Sequence, residues 1–199
     1  MKNFSLLGLL AALTFSASVM AQEAVPATEA DREVMVEGIG IPAHVTVGGT
    51  ELGLNGTGIR RAFFRNFYVG ALYLTEPMSS LSEIVSRNET NRIALHFIRD
   101  VSISRMRGAL DDGFENNTPA EEREAFSGEI EAFKSFFEPP TQGDRIDIDF
   151  DPERGTIVTI NGEEKGVIEN TDFHVAVLRI FLGENPADNN LRDGMLGVD

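Results

Sequence analysis

Arginine is the one side chain in this sequence that both carries chemistry and falls into a pattern. Between positions 60 and 107 the chain holds eight arginines and no lysine, against four acids, whereas positions 108–199 hold seven basic residues against 22 acids. Three of these arginines enter a stretch that reads as buried sheet: Gly56-Thr57-Gly58-Ile59-Arg60, then Arg61, Phe63 and Arg65, then Phe67-Tyr68-Val69-Gly70-Ala71-Leu72-Tyr73-Leu74. A guanidinium there is costly unless an anion pairs with it. Its planar fork of donors suits a carboxylate or phenolate better than a lysine would. The chemistry in prospect is capture of an organic anion. The plainer reading, expected of most of these arginines, is pairing with the acids of the C-terminal half.

Other chemistries fail on the residues they require. The chain has no cysteine, which removes thiol nucleophiles and cysteine-type zinc sites. Asp147-x-Asp149-x-Asp151 invites a calcium loop, but Pro152 stands where the EF-hand needs Gly and Val158 where it needs Glu. Alternating acids on the open face of a strand account for it better. His44, His96 and His174 show no ligand spacing, so no metal is expected. Gly56-Thr57-Gly58 lacks the third glycine and following helix of a dinucleotide fingerprint, and no cofactor is expected. A Gly-x-Ser-x-Gly elbow is missing too.

Met1-Lys2-Asn3, an apolar run from Phe4 to Val19 and the small residues before Gln22 read as a secretory signal peptide over 1–21, cleaved after Ala21. A periplasmic location follows as the expectation, with no stable membrane insertion after cleavage. Residues 22–199 would then hold 16 basic against 32 acidic residues, a net charge of −16. Such a charge argues against nucleic acid, and against anionic membranes, as general partners. Without disulfides the chain relies on a hydrophobic core, and at this length one domain buries roughly 70% of its unfolded surface. Oligomeric state is not written in the sequence.

The elements that must position the arginines read as one domain over 34–199, after a flexible lead-in at 22–33. Strands are expected at Val34–Glu37, His44–Val47, about Thr50–Leu54, Phe67–Leu74 and Arg92–Arg99; the fourth is apolar nearly throughout, so both its faces should be covered. Ser79 or Ser80 caps a helix over Leu81–Ser86, and Ser102 caps another towards Asn116. Thr118-Pro119-Ala120-Glu121 has the form of a capping box, opening a helix with Phe126, Ile130, Phe133 and Phe137 on one stripe. The period then becomes two: Ile146, Ile148 and Phe150 alternate with Arg145, Asp147 and Asp149 in a strand with one wet face. Asn161-Gly162 joins two further strands in a hairpin. Asn170, Thr171 or Asp172 starts a helix over Phe173–Leu182 that Gly183 stops, and Asp188 caps a last one to Leu196. Strands, then helices, then a hairpin and helices make an α+β fold with an antiparallel sheet.

Gly56-Thr57-Gly58-Ile59-Arg60, Ala71-Leu72-Tyr73-Leu74 and the block Phe173-His174-Val175-Ala176-Val177-Leu178-Arg179-Ile180-Phe181-Leu182-Gly183 resemble the chalcone isomerase-like family, in its bacterial exported branch. The resemblance spans roughly 34–197 and implies an open-faced sandwich, a large antiparallel sheet packed on a layer of helices with the ligand between them. It maps the family's ligand-binding arginine onto Arg60. It puts Tyr68 where the plant isomerases carry a catalytic threonine and the fatty-acid-binding branch favours tyrosine. The isomerases complete their site with a tyrosine and an asparagine on the following helices. Here no tyrosine lies between Asp100 and Phe137, and Asn116 and Asn117 do not align.

Three readings follow. The first is a non-catalytic binder of a small amphiphilic carboxylate or phenolate, fatty-acid-like, held by Arg60 and Tyr68 with Arg60 at the closed end of an apolar cavity. The second is an isomerase or intramolecular lyase, in which Arg60 stabilises developing negative charge, with Tyr68 beside it. The third is a structural or interaction protein with a filled core, in which Arg60 pairs with an internal acid. Cavity volume separates the third from the others, since ligand sites usually exceed about 300 Å³. By alternation Arg60, Ala62 and Phe64 share one strand face and Arg61, Phe63 and Arg65 the other; core packing is the expected role of Phe63, Phe64 and Phe67.

Overall fold

The computed structural model describes residues 32–62 and 64–198. The expected leader and the lead-in up to residue 31 lie outside the described residues, as does Phe63. Strands β1 (Glu33–Val36) and β2 (Ile39–Pro42) form a hairpin of their own, turned at Glu37 and Gly38, which both take positive φ. The main sheet is an antiparallel meander of seven strands in chain order: β3 (His44–Val47), β4 (Thr50–Ala62), β5 (Arg65–Leu74), β6 (Asn91–Phe97), β7 (Arg145–Asp151), β8 (Gly155–Ile160) and β9 (Glu163–Ile168). The helices are α1 (Leu81–Arg87), α2 (Ile103–Asn117), α3 (Ala120–Ala125), α4 (Ser127–Ser135), α5 (Thr171–Leu182) and α6 (Asn189–Leu196). No described helix is long and apolar enough to cross a membrane.

Alternation along the strands makes two cores. Leu72, Leu95, Ile146 and Ile148 face the helical layer and pack with Leu110, Phe114, Phe133, Phe173, Val177, Leu191 and Met195. On the other face Val69, Ala71, Tyr73 and Ala94 pack with Ile41, Val47 and Leu52, and the Tyr73 hydroxyl donates to the Pro42 carbonyl at 3.0 Å. Strand β5 therefore is buried on both faces, as its composition requires. Ser80, Ser102, Asn170 and Asp188 cap α1, α2, α5 and α6 through their side chains.

Four expectations are corrected. Strand β4 does not stop at Leu54 but runs on to Ala62, because its glycines are pressed beneath a helix rather than placed in a loop. Strand β2, broken by Gly40 and Pro42, carries too little pattern to be read from the sequence. Thr118 caps no helix: it ends α2, its buried hydroxyl has no partner among the described residues, and α3 follows Pro119 without a side-chain cap. The single helix read over the phenylalanine stripe is two, broken at Phe126, although Phe126, Ile130, Phe133 and Phe137 still all pack on the core.

A further correction concerns β7, which has no wet face. Asp147 and Asp149 are each only 5% exposed, because long arginine side chains lie across them. Arg92, facing Asp149 in the ladder, grips it with Nε at 2.5 Å and Nη2 at 2.7 Å, and Arg145 grips Asp147 at 2.7 and 2.6 Å. Burial pushes the Asp149 carboxyl up, and the fork from Arg92 offsets only part of that. Breaking such a pair strands a buried charge. Asp149→Asn should therefore cost about 3 kcal/mol in a denaturant titration, while joint replacement by Arg92→Met and Asp149→Leu should recover most of the loss.

Candidate functional site

The site begins with glycine. An added Cβ at Gly56 would stand 2.2 Å from the Gly194 carbonyl oxygen, and one at Gly58 2.2 Å from that of Leu191; on the helix, one at Gly194 would stand 2.3 Å from the Thr57 oxygen. Strand β4 thus offers a side-chain-free groove in which the backbone of α6 lies directly on the sheet. The Gly-x-Gly of the motif is a packing device, and it brings the start of α6 against Arg60 and Arg61. The Asp188 carboxylate caps α6 with one oxygen, at 2.9 Å from the Asn190 N–H. With the other it accepts the Arg61 N–H at 2.9 Å and sits 3.6 Å from Arg60 Nη1.

Two ladder irregularities aim the neighbouring side chains. Leu54 pairs with Tyr73 but Gly56 with Leu72, so Asn55 bulges out of β4. Its amide donates to the Met195 carbonyl at 2.8 Å and the Met78 carbonyl at 3.0 Å, and its Oδ1 accepts the Met78 N–H, which pins the end of α6. Arg60 pairs with Tyr68 but Arg61 with Asn66, so Phe67 is the extra residue on β5. Consecutive residues Phe67 and Tyr68 consequently turn to the same side.

That side is a cavity of about 110 Å³ between the sheet and helices α2 and α5. Phe97, Leu95 and Ile148 form its floor; Met106, Leu110 and Ile180 roof it. The only polar side chains on its wall are Arg60, Tyr68 and Arg105. Phe137 closes it where the core becomes solid, stacked edge-on to Phe133 at 5.0 Å between ring centroids. The volume is below the roughly 300 Å³ of drug-sized ligand sites. It is nonetheless several times the roughly 10–15 Å³ that a single water needs. This end of the sandwich is a narrow slot that falls on the filled-core side of that threshold, and the Arg60–Asp188 pair is the one the filled-core reading expects.

Arg60 and Tyr68 meet at its mouth. The Arg60 side chain is 27% exposed, so it stands at the open end rather than the closed one. Its Nη1 donates to the Arg61 carbonyl at 2.6 Å, leaving Nε and Nη2 as free donors. Arg60, not Arg61, is the inward residue; Arg61 is exposed. The Tyr68 ring packs on Phe97 at 5.3 Å, and its hydroxyl has no hydrogen-bond partner among the described residues. Burial pushes the Tyr68 pKa up to about 12, against the pull of Arg60 and with a small push from Asp188. The phenol is a neutral donor over the physiological range.

Beyond the mouth lies an open basin of about 540 Å³, lined by Arg65, Arg99, Arg105, Asp100 and Gln142, which shares Phe67 and Arg105 with the cavity. The Arg105 guanidinium lies 5.8 Å above the Phe67 ring. Of the three phenylalanines assigned to packing, Phe67 lines the cavity, Phe64 is fully exposed, and Phe63 lies outside the described residues. Asn116 and Asn117 stand away from the cavity: the Asn117 amide is held by the Gly113 and Asn185 carbonyls. Among the described residues no group of three or more His, Asp or Glu could hold a metal ion. Asp188, legible as a helix cap but not as the partner of Arg60 across 128 positions of sequence, and Arg105 are the participants that sequence reasoning missed.

Comparison with known proteins agrees with this architecture. No curated protein matches the chain. Among solved structures, a fatty-acid binding protein from Arabidopsis thaliana is similar with a TM-score of 0.64 and 21% identity, over 82% of this chain and 95% of that one. At that identity the likeness is one of fold: a large antiparallel sheet with helices layered on it. The family described as chalcone isomerase-like matches residues 33–197, from β1 to the end of α6. The chain belongs to the chalcone isomerase-like family.

Proposed function

We propose that this protein binds a slender amphiphilic anion, of the fatty-acid type, with its chain in the slot between sheet and helices and its head group on Arg60 and Tyr68. The observation that carries the reading is the wall of the cavity: hydrocarbon apart from Arg105 and a mouth where a cross-strand Arg–Tyr pair presents unused donors. A carboxylate placed there accepts from Arg60 Nε and Nη2 and from the Tyr68 hydroxyl, in charge-assisted bonds. Asp188 then balances the guanidinium when the site is empty. The narrow volume favours a single unbranched chain over paired aromatic rings, and Met106 gives the roof some adaptability. The similarity in fold to a plant fatty-acid binding protein supports the same class of ligand. We further propose that the leader over 1–21 exports the chain and that the binding domain starts at 34.

The isomerase alternative has less support. Proton transfer needs a group that titrates near the working pH. The cavity wall holds only arginine and a phenol pushed up to about 12. The reading is tested by native mass spectrometry and by titration with a fluorescent fatty acid. Wild type should carry an acid that Arg60→Ala loses, with affinity down about 10- to 100-fold, and Tyr68→Phe should cost about 5- to 10-fold. Equal binding by wild type and Arg60→Ala would sink it.

A further inference from the structure

Most of the eight arginines were expected to find acidic partners, yet among the described residues the structure pairs three of them with carboxylates: Arg60, Arg87 and Arg92. The side chains of Arg61, Arg65, Arg99, Arg105 and Arg107 have no carboxylate partner among the described residues and are all exposed, and the first four gather at one end of the molecule. Arg61 and Arg65 flank the β4–β5 turn. Ile98, next to Arg99, donates its N–H to the Phe67 carbonyl, and Arg105 covers the Phe67 ring. At the tip of that turn stands Phe64, its side chain wholly exposed at 109% and its φ at +62°, a conformation bulky residues rarely adopt. The other large apolar side chains exposed among the described residues are Val34 and Met35 on β1 and Val198 after α6, away from this turn.

We propose that this arginine end is a reversible docking surface for an anionic lipid bilayer, with Phe64 entering the interface and the cavity mouth opening onto it. Charge complementarity selects the occupant. The chain as a whole carries −15, so a bilayer of anionic lipid repels all of it except this end, which fixes one orientation. An exposed aromatic on a hairpin tip flanked by guanidinium groups suits the boundary between head groups and acyl chains. An acidic protein partner would use the arginines but leave Phe64 without a role. Docking brings the slot to the depth at which acyl chains are found, and this last point rests on the acyl-binding reading above. The average charge, which argues against anionic membranes as general partners, is not the charge this face presents.

Flotation with phosphatidylcholine vesicles, with and without one-third phosphatidylglycerol, tests the surface. Binding should need the anionic lipid and disappear in half-molar salt, where the Debye length is about 4 Å. At roughly fivefold per arginine, Arg61→Gln with Arg65→Gln should weaken it about thirtyfold. Phe64→Ser should weaken it about tenfold. None of these residues lines the cavity, so fatty-acid binding by the variants in vesicle-free solution should match wild type. Vesicle binding without fatty-acid binding would uphold the surface and refute the ligand. Fatty-acid binding with no vesicle binding, or equal binding to both vesicle types, would overturn the surface. So would self-association in lipid-free solution that Phe64→Ser abolishes.

Discussion

Gly58→Ala should lower the melting temperature by about 8–16 °C. The new Cβ would lie 2.2 Å from the Leu191 carbonyl oxygen and 2.6 Å from its Cα, both backbone atoms that no rotamer change can move. Helix α6 must therefore lift from β4. Lifting it exposes part of Leu191, Met195 and Leu196, now 0%, 0% and 7% exposed. At about 1.5–3 kcal/mol for each side chain, losing even half of that burial costs about 4 kcal/mol. In a chain of this size each kcal/mol is worth about 2–4 °C. Gly53→Ala is the control: the same strand, but the nearest atom to its Cβ is 3.9 Å away. That change should leave stability level or slightly improved. Equal melting temperatures for the two variants would show that α6 does not rest on the glycine groove. Ligand affinity should fall with stability in Gly58→Ala, since Asp188 leaves with the helix.

The second large effect is sensitivity to acid. His174 is buried in α5, stacked on Phe150 at 4.3 Å with the rings 10° apart. Its Nε2 faces Asn91 Oδ1 at 3.0 Å and its Nδ1 faces the Thr156 hydroxyl at 3.2 Å. Because the Asn91 amide group is committed to the Glu89 carbonyl, Oδ1 is the atom turned to the ring. Nε2 must then carry the hydrogen, and Nδ1 accepts from Thr156: one neutral tautomer satisfied at both ends. No carboxylate contacts the ring, and burial alone pushes its pKa down from 6.5 to about 3. As pH falls below 6.5 the unfolded chain takes up the proton that the folded chain refuses. The stabilisation is complete above 6.5 and drains away towards 3. At about 1.4 kcal/mol per pH unit, some 3 kcal/mol is lost by pH 4, and on the order of 4–5 kcal/mol over the whole window. His174→Gln should be less stable at pH 7 but lose much less between pH 7 and 4. Denaturation curves at the two values decide: parallel losses in wild type and variant would remove His174 as the cause.

The residues that were legible are those whose meaning is local. Alternation located the strands, and Ser80, Ser102 and Asp188 were readable as caps because a cap bonds its own next turn. Apolar composition on both faces of β5 foretold two cores. What escaped was decided by distant chain. Asp147 and Asp149 alternate as a wet face does, and only the arginines on β6 and at the start of β7 reveal that the face is covered. Thr118 has the spacing of a cap, but the preceding helix α2 uses its N–H and buries its hydroxyl. The glycines of β4 were readable as unusual but not as a groove, since the helix that fills it comes over 130 positions later. For the site itself, Arg60 and Tyr68 came from the family motif, and the ladder pairs them. Their setting at an open mouth, beside Asp188 and Arg105, was not in the motif.

The groove on β4 also bears on the order in which the molecule assembles. Its contacts join residues 55–61 to residues 188–195, and the Asn55–Met195 hydrogen bond spans more sequence than any other between described residues; helix α6 is too short to persist alone in water. Strands β3 to β9 close by local hairpins and by two excursions, one through α1 and one through α2 to α4, which need no help from residues 188–199. The polar half of the mouth, where Asp188 meets Arg60, therefore forms only after the sheet and its main helices are in place. Interactions made that late slow unfolding rather than speed folding. Substitutions at Leu191 or Met195 should accordingly register in the unfolding rate, and a chain shortened before Asp188 should collapse around its sheet without a finished entrance to the slot.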